Sequence, residues 1–422
     1  MRILYVYDGD WPRGATRVAK QTRSFASAGH TVWLISRNSL GQPRRQHEEW
    51  MTVLRLPHFG PRWLNRALNF PFFLNPVWIW AIWRAAAALR ADCIVAADLP
   101  LAPTALWVGR WLRIPIHYDM AEAYPEFLRS LWACDEMGWG DHLVRNPRAA
   151  DWLERRVLPR FRTIFVVSTE FAARCLRLGV QADRLVVVGN TPEDVEALGV
   201  RQRMPSDLER WAGRPRVLFV GTLIGDRGVT AAVQAMELVI RAVPTAALIV
   251  VGDGPDRSHI QAAMDRAGLQ QHVALLGWRD SADLPAYYQH ADIGLLPFRD
   301  TPHIRVTLAN KLFDYMAAGL PVVAVDVPPM RRVLGETGAG LLYPPGDTAA
   351  LAGAIVELLR DPERRAVLGE RGRQAVMTKY CWREDERRLL AAMNQEPSRH
   401  LANSRGGPAR GSMVPPAVRL PR

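Results

Sequence analysis

The stretch "RVTLANKLFDYMAAGLPVVA", residues 305–324, decides the fold. It follows the apolar run "IGLLPF" and the loop "RDTPHI", and it ends in the apolar run "PVVAV". A strand, a loop, a helix and a second strand make one βαβ unit with parallel strands. The helix is predicted to begin near Thr307, at the carboxyl end of the first strand. Its front carries Asn310, Lys311 and Asp314, which a plain core helix would not need. Spacings of three and four residues put all three on one face.

Working outward, the same alternation fills the chain. "RILYVY", "TVWLIS", "CIVAA", "IPIHYD", "TIFVVS" and "RLVVVGN" form a first series of β-rich runs. "RVLFVGT", "AALIVVGDG", "VALLGW", "IGLLPF", "PVVAV" and "GLLYP" form a second. Two series predict two doubly wound α/β domains, with ligands at the carboxyl ends of the strands and a cleft closed by both. The expected division is a first domain over 1–190, a polar linker over 191–215 and a second domain over 216–380. A terminal helix over 381–396 and a disordered basic tail over 397–422 complete it.

Bulk properties narrow the function classes. Lysine plus arginine exceed the acids by 12, which suggests an anionic partner, yet composition cannot choose one. The arginines are spread along helices and tail rather than gathered in a nucleic-acid module, so no nucleic-acid partner is expected. Only Lys20, Lys311 and Lys379 are lysines; a compact ammonium kept at 311 in so arginine-biased a chain hints at a use. Cys93, Cys134, Cys175 and Cys381 stand far apart without a CxxC pair, which argues against a zinc site or disulfide framework. "MRILYVYDGDW" reads as a first strand rather than a leader. Residues 50–91 hold five arginines and no acid, and 12 of the 15 tryptophans fall within the first 152 residues. Polar interruptions rule out a spanning helix there. Two readings stay open for 62–84: an interfacial membrane contact, or a helix pair packed over the sheet.

Several residues could carry chemistry. A helix start at a strand's carboxyl end offers free N–H groups and a positive dipole end to an anion. Lys311 would add a full charge to a bound diphosphate, and Asp314 could accept a ribose diol. Read alone, an internal Lys311–Asp314 ion pair accounts for the same residues. In "LFVGTLIGDRGV", Arg227 sits on a glycine-rich loop where a guanidinium and backbone amides can reach phosphate oxygens. In "LIVVGDGPD", Gly252, Asp253 and Gly254 end a strand and permit close backbone approach, a weak dinucleotide signal without a third glycine. "DGD" at 8–10 mimics a metal-binding DxD but sits at a strand end and is discounted. His117 and His303 are read as structural histidines.

Taken together, "VVGDGP", "LLGW", "LPAYYQHADIGLLPF" and "NKLFDYMAAGLPVVA" resemble the second half of glycosyltransferase family 4, in its "NKLFEYM" subgroup. "RGATRVAKQTRSFASAGHTVWLIS" and "PIHYDMAEAYPEF" are similar to the family's first half. The resemblance implies the GT-B architecture, two Rossmann-like domains facing across a cleft. It implies a retaining transfer of a sugar from a nucleotide diphosphate, without cofactor or metal, to a glycan or lipid-linked acceptor in surface polysaccharide synthesis. Arg227 and Lys311 would then stabilise the leaving diphosphate, and Asp314 would hold the ribose. Asn310, Thr222 and the amides of Thr307 and Leu308 would line the donor site with Gly252, Asp253 and Gly254. The loop at Gly14 would close on them, and Asp119 and Glu122 would contact or orient the acceptor, unless they are hydrogen-bond acceptors that support the fold. The chain departs from the family pattern at Val306, where an acid is usual, at Thr222, where an arginine is common, and at Ala121, where a histidine is expected. A non-catalytic protein that binds a nucleotide sugar or a partner is the alternative. The expected location is the cytoplasm, peripheral at the inner face of the plasma membrane.

Overall fold

The computed structural model describes residues 1–12, 14–69, 74–132, 145–200 and 202–394. The predicted tail at 397–422 lies outside them. In the first half the order is β1 (Arg2–Asp10), α1 (Thr16–Ser27), β2 (Thr31–Arg37), β3 (Arg45–His47), β4 (Thr52–Arg55), α2 (Arg62–Asn69), α3 (Pro76–Leu89) and β5 (Cys93–Ala97). It continues with α4 (Ala102–Leu112), β6 (Ile116–Met120), α5 (Tyr124–Trp132), α6 (Pro147–Val157), β7 (Thr163–Val166), α7 (Thr169–Arg177) and β8 (Leu185–Val187). After α8 (Val195–Gly199), the second half runs β9 (Arg216–Val220), α9 (Val229–Ala242), β10 (Ala247–Val251), α10 (Arg257–Arg266), β11 (Val273–Gly277), α11 (Leu284–Gln289) and β12 (Ile293–Leu296). It closes with α12 (Asn310–Ala317), β13 (Val322–Val325), α13 (Pro328–Thr337), β14 (Gly340–Tyr343), α14 (Thr348–Arg360), α15 (Pro362–Thr378) and α16 (Trp382–Asn394).

The strands form two sheets. The first has eight strands in the order β3-β4-β2-β1-β5-β6-β7-β8, parallel except for β3. The second has six in the order β11-β10-β9-β12-β13-β14, all parallel. Strands such as β5 and β10 are buried along their whole length, because helices cover both faces of a parallel sheet. That is why they read as unbroken apolar runs. The pair β3 and β4 is an edge hairpin absent from the sequence reading: "RQH" is exposed throughout and carries no apolar period.

Each sheet has its own core. In the first half one apolar cluster joins α3, α4 and α6 to the sheet, and another joins α1 on the opposite face. Trp382, Leu389 and Met393 of α16 belong to that second cluster, so the terminal helix packs on the first domain. Trp382 Nε1 donates to Ser24 Oγ at 2.9 Å. Two bonds brace the crossing between the domains: Thr191 Oγ1 donates to Asp385 Oδ2 at 2.6 Å, and the Trp382 amide donates to Pro192 O at 2.9 Å. The polar stretch 191–215 is not a free linker throughout, because Leu208 and Trp211 are buried in the core of the second sheet.

Candidate functional site

The segment after β12 departs from the expected geometry. The amides of Val306 and Thr307 both donate to the His303 carbonyl, at 3.2 and 3.1 Å, and close a turn there. Ala309 is extended at φ −68° and ψ 130°, so α12 starts at Asn310 rather than near Thr307. The Thr307 amide is therefore already used, while Leu308, Ala309, Asn310 and Lys311 carry the helix start into a cavity of about 250 Å³. The first amides of a helix have no intrahelical acceptor, which leaves this wall rich in donors. The helix is held in register from below: the Val220 amide donates to Tyr315 Oη at 2.9 Å, tying α12 to the end of β9.

Both domains line the cavity. Ala121, Glu122 and Asn190 come from the first, and Gly221, Thr222, Arg227, Phe298, His303 and Lys311 from the second. Arg227 lies in a tight turn before Gly228, its guanidinium 4.8 Å from the centre of the Phe298 ring and its Nε 3.7 Å from Asp226 Oδ1. Burial raises the Asp226 carboxyl, against the pull of Arg227. Gly228 has φ +66°, and a Cβ there would lie 1.9 Å from Pro297 O, so only glycine lets this turn reach the β12 end.

Lys311 and Asp314 do form an ion pair, Nζ to Oδ2 at 2.9 Å, and the Tyr288 hydroxyl joins both. Lys311 lines the cavity and Asp314 stands one layer behind it. Gly252 and Gly254 serve a different purpose from the expected one. A Cβ at either would lie 1.9 Å from Gly221 O or 2.3 Å from Leu223 O. The two glycines let the β10 loop press against the β9 loop and so support the Gly221–Thr222 wall; they do not line the cavity. Asp253 is largely exposed and caps the Gly254 amide at 2.8 Å. Gly14, exposed at φ +68°, is likewise not among the lining residues.

Asp119 differs most from its expected role. It is 1% exposed and its carboxylate is saturated. Arg17 binds it through Nε at 2.9 and 3.0 Å and Nη2 at 2.7 Å, Gln21 Nε2 at 2.9 Å and Tyr5 Oη at 2.9 Å. No acceptor sugar can reach it. Its effect passes through Arg17, whose Nη1 donates to Asn190 Oδ1 at 2.9 Å on the cavity wall.

Glu122 does reach the cavity, and there it meets a histidine read from sequence as structural. His303 Nε2 lies 3.2 Å from Glu122 Oε2, across the two domains. His303 is 1% exposed, and burial, with Arg227 adding to it, drops its imidazole to about 3. It is neutral at physiological pH. Glu122 lines the cleft with its side chain still 44% exposed; partial loss of water there raises its carboxyl, to about 7, although Arg227 pulls the other way.

Val306, where the family pattern has an acid, is 7% exposed and packs into the apolar cluster of the first domain. Its carbonyl accepts a hydrogen bond from Ser168 Oγ. The valine thus anchors the loop to the opposite domain, and Arg332 adds a second crossing by gripping Glu170 at 2.7 and 3.1 Å.

Comparison with known proteins places this architecture. The "Glycosyl transferase 4-like domain" matches residues 14–191 and "Glycosyl transferases group 1" matches residues 214–361. The chain belongs to the family 4 type of glycosyltransferase. Among relatives of this glycosyltransferase, the phosphatidyl-myo-inositol mannosyltransferase of Mycobacterium leprae is 34% identical over 189 residues, 44% of this chain and 48% of its own length. The 2-deoxystreptamine N-acetyl-D-glucosaminyltransferase of Streptomyces fradiae is 27% identical over 375 residues, 82% of each chain. The first curated relatives are matched over only about half of their length. The sucrose-phosphate synthase of Thermosynechococcus elongatus shares the GT-B fold, with a TM-score of 0.74 at 21% identity, covering 96% of this glycosyltransferase and all of that chain.

Proposed function

We propose that the chain transfers a glycosyl group from a nucleotide diphosphate sugar to a glycan or lipid-linked acceptor, with retention and without a metal, in the synthesis of a surface polysaccharide or lipid-linked glycan. The observation that carries this reading is the position of two cations, Arg227 and Lys311, with the first turn of α12 on one cavity wall. As the sugar departs, negative charge grows on the diphosphate. Fixed cations and amides aimed at that charge stabilise the transition state more than the bound donor. Asp314 would accept the ribose hydroxyls through its Oδ1, since its Oδ2 already takes Lys311 and Tyr288. Glu122 and Asn190, from the opposite domain, would orient the acceptor. Among the described residues no helix is long and apolar enough to cross a membrane; a lipid-linked acceptor would be met by surface contact.

Titration with UDP, GDP, ADP and TDP in EDTA, followed by thermal stability, tests the donor site. A rise for one nucleotide that Lys311→Ala loses supports the reading and names the base. No rise with any of them would overturn it.

A further inference from the structure

The first domain carries a second surface that the donor cavity does not use. On α3, Trp78 and Ile82 turn into the core while Trp80 stays 43% exposed. On α4, Trp107 is 48% and Trp111 61% exposed, and on α6 Trp152 is 59% exposed. Trp83 stacks on Trp111 at 5.7 Å, and Trp107 leans on Trp111 at 5.4 Å, which makes an aromatic ridge from α3 to α4. Neighbouring exposed indoles of this kind mark an interaction surface rather than ordinary scatter.

The grooves beside the ridge are lined by charge of one sign. A groove of about 1050 Å³ between α4 and α6 is lined by Arg110, Arg113, Arg156, Arg160, Arg162 and Arg184, with no aspartate or glutamate. None of the six pairs with a carboxylate among the described residues. A second groove of about 380 Å³, on the other flank of α3, repeats the pattern with Arg44, Arg45, Arg55 and Arg84 beside Trp33 and Trp80. The larger groove lies at the starting ends of β6 and β7, where Ile116 and Arg162 line it. The donor cavity is built at the finishing ends of strands, so the groove is not its acceptor arm.

We propose that the face formed by α3, α4 and α6 docks on an anionic phospholipid bilayer. Indoles settle at headgroup depth, and arginine forks take phosphate oxygens bidentately. The acid-free grooves match a uniformly negative surface. One face of Trp83, Trp111, Trp152 and Trp80 is occupied by a neighbouring ring or guanidinium, so the ridge presents indole edges and arginine forks together, the combination that suits a headgroup layer. This deepens the reading of surface contact with a membrane-borne acceptor and rests on it, while the docking itself needs no substrate.

Flotation of the full chain with vesicles tests it. The expected result is binding to phosphatidylcholine vesicles holding about 30% phosphatidylglycerol and none to phosphatidylcholine alone. The triple change Arg110→Gln, Arg113→Gln and Arg156→Gln should weaken binding about 100-fold, near fivefold per charge. Trp107→Ala with Trp111→Ala and Trp152→Ala should weaken it at unchanged charge. All six side chains are exposed, so an unchanged melting curve shows that the variants fold. Wild-type binding that both variants keep would place the contact elsewhere and overturn this surface while leaving membrane contact standing. Absence of wild-type binding would overturn both. Heparin binding lost in the arginine variant, with no vesicle binding, would assign the face to a soluble polyanion and overturn the proposal. The nucleotide titration is independent of all these outcomes.

Discussion

His303 Nε2 and Glu122 Oε2 stand 3.2 Å apart and join the two domains across the cavity between them. Loss of water in the cleft raises the Glu122 carboxyl to about 7, and burial beside Arg227 lowers the His303 imidazole to about 3. At low pH a neutral carboxyl faces the cavity proposed to take the diphosphate, and above about 7 a carboxylate does. Nucleoside diphosphate affinity should therefore fall as pH rises through 7, and Glu122→Gln should flatten that dependence. Calorimetric titration of both proteins from pH 5.5 to 8.5 checks it; equal slopes would refute the assignment.

The same pair gives a stability signature. A carboxyl raised on folding stabilises the native state below its unfolded value and loses that contribution as pH rises from 4.5 through about 7. His303, lowered from 6.5 to about 3, contributes above 6.5 and loses it as pH falls through about 3. Between these limits the two oppose each other. Relative to the wild type, Glu122→Gln should lose less stability as pH rises from 4.5 to about 7 in denaturant unfolding; identical pH profiles would refute the contribution of this carboxyl.

Asp314 offers a sharper test of the ribose contact. Asp314→Asn should weaken binding of a ribonucleoside diphosphate about tenfold, the size of one charge-assisted hydrogen bond, and leave its 2′-deoxy,3′-deoxy counterpart nearly unchanged. Equal losses for both ligands would mean that Asp314 acts only through Lys311.

Gly228→Ala should cost about 2 kcal/mol or more, since its residue must hold a left-handed backbone against the Pro297 carbonyl. The damage should extend to nucleotide binding, because Arg227 precedes it. Parallel denaturant curves and nucleotide titrations would show both losses together.

Asp119→Asn leaves the Arg17 guanidinium buried without its counter-charge. Removing one partner of a buried pair costs about 3–5 kcal/mol. A loss below about 1 kcal/mol on denaturant unfolding would contradict the network of Arg17, Gln21 and Tyr5 described for this carboxylate.

Much of this was readable from the chain alone, for a physical reason. Strands buried on both faces, such as Cys93–Ala97, leave an unbroken apolar run that needs no context. Lys311 was legible because local spacing fixes which face of a helix it shares. What escaped depended on distant partners. Asp119 was open to two readings, an acid that orients the acceptor or one that supports the fold, and Arg17, 102 residues away, decides for the second. His303 looked ordinary because nothing local reveals that Glu122 will face it. Val306 looked like a missing acid, and only the opposite domain shows it to be an anchor. The short hairpin β3–β4 lacked any apolar period, so no pattern announced it.

The helix Trp382–Asn394 has a consequence for how the molecule is made. It supplies Trp382, Leu389 and Met393 to the core around α1. On the ribosome the domain around α1 must therefore wait, with Val18 and Phe25 short of their final cover, until residues 382–394 emerge. It is made before the second sheet yet finished after it, and a chain stopped before 382 would leave it open to chaperones and proteases.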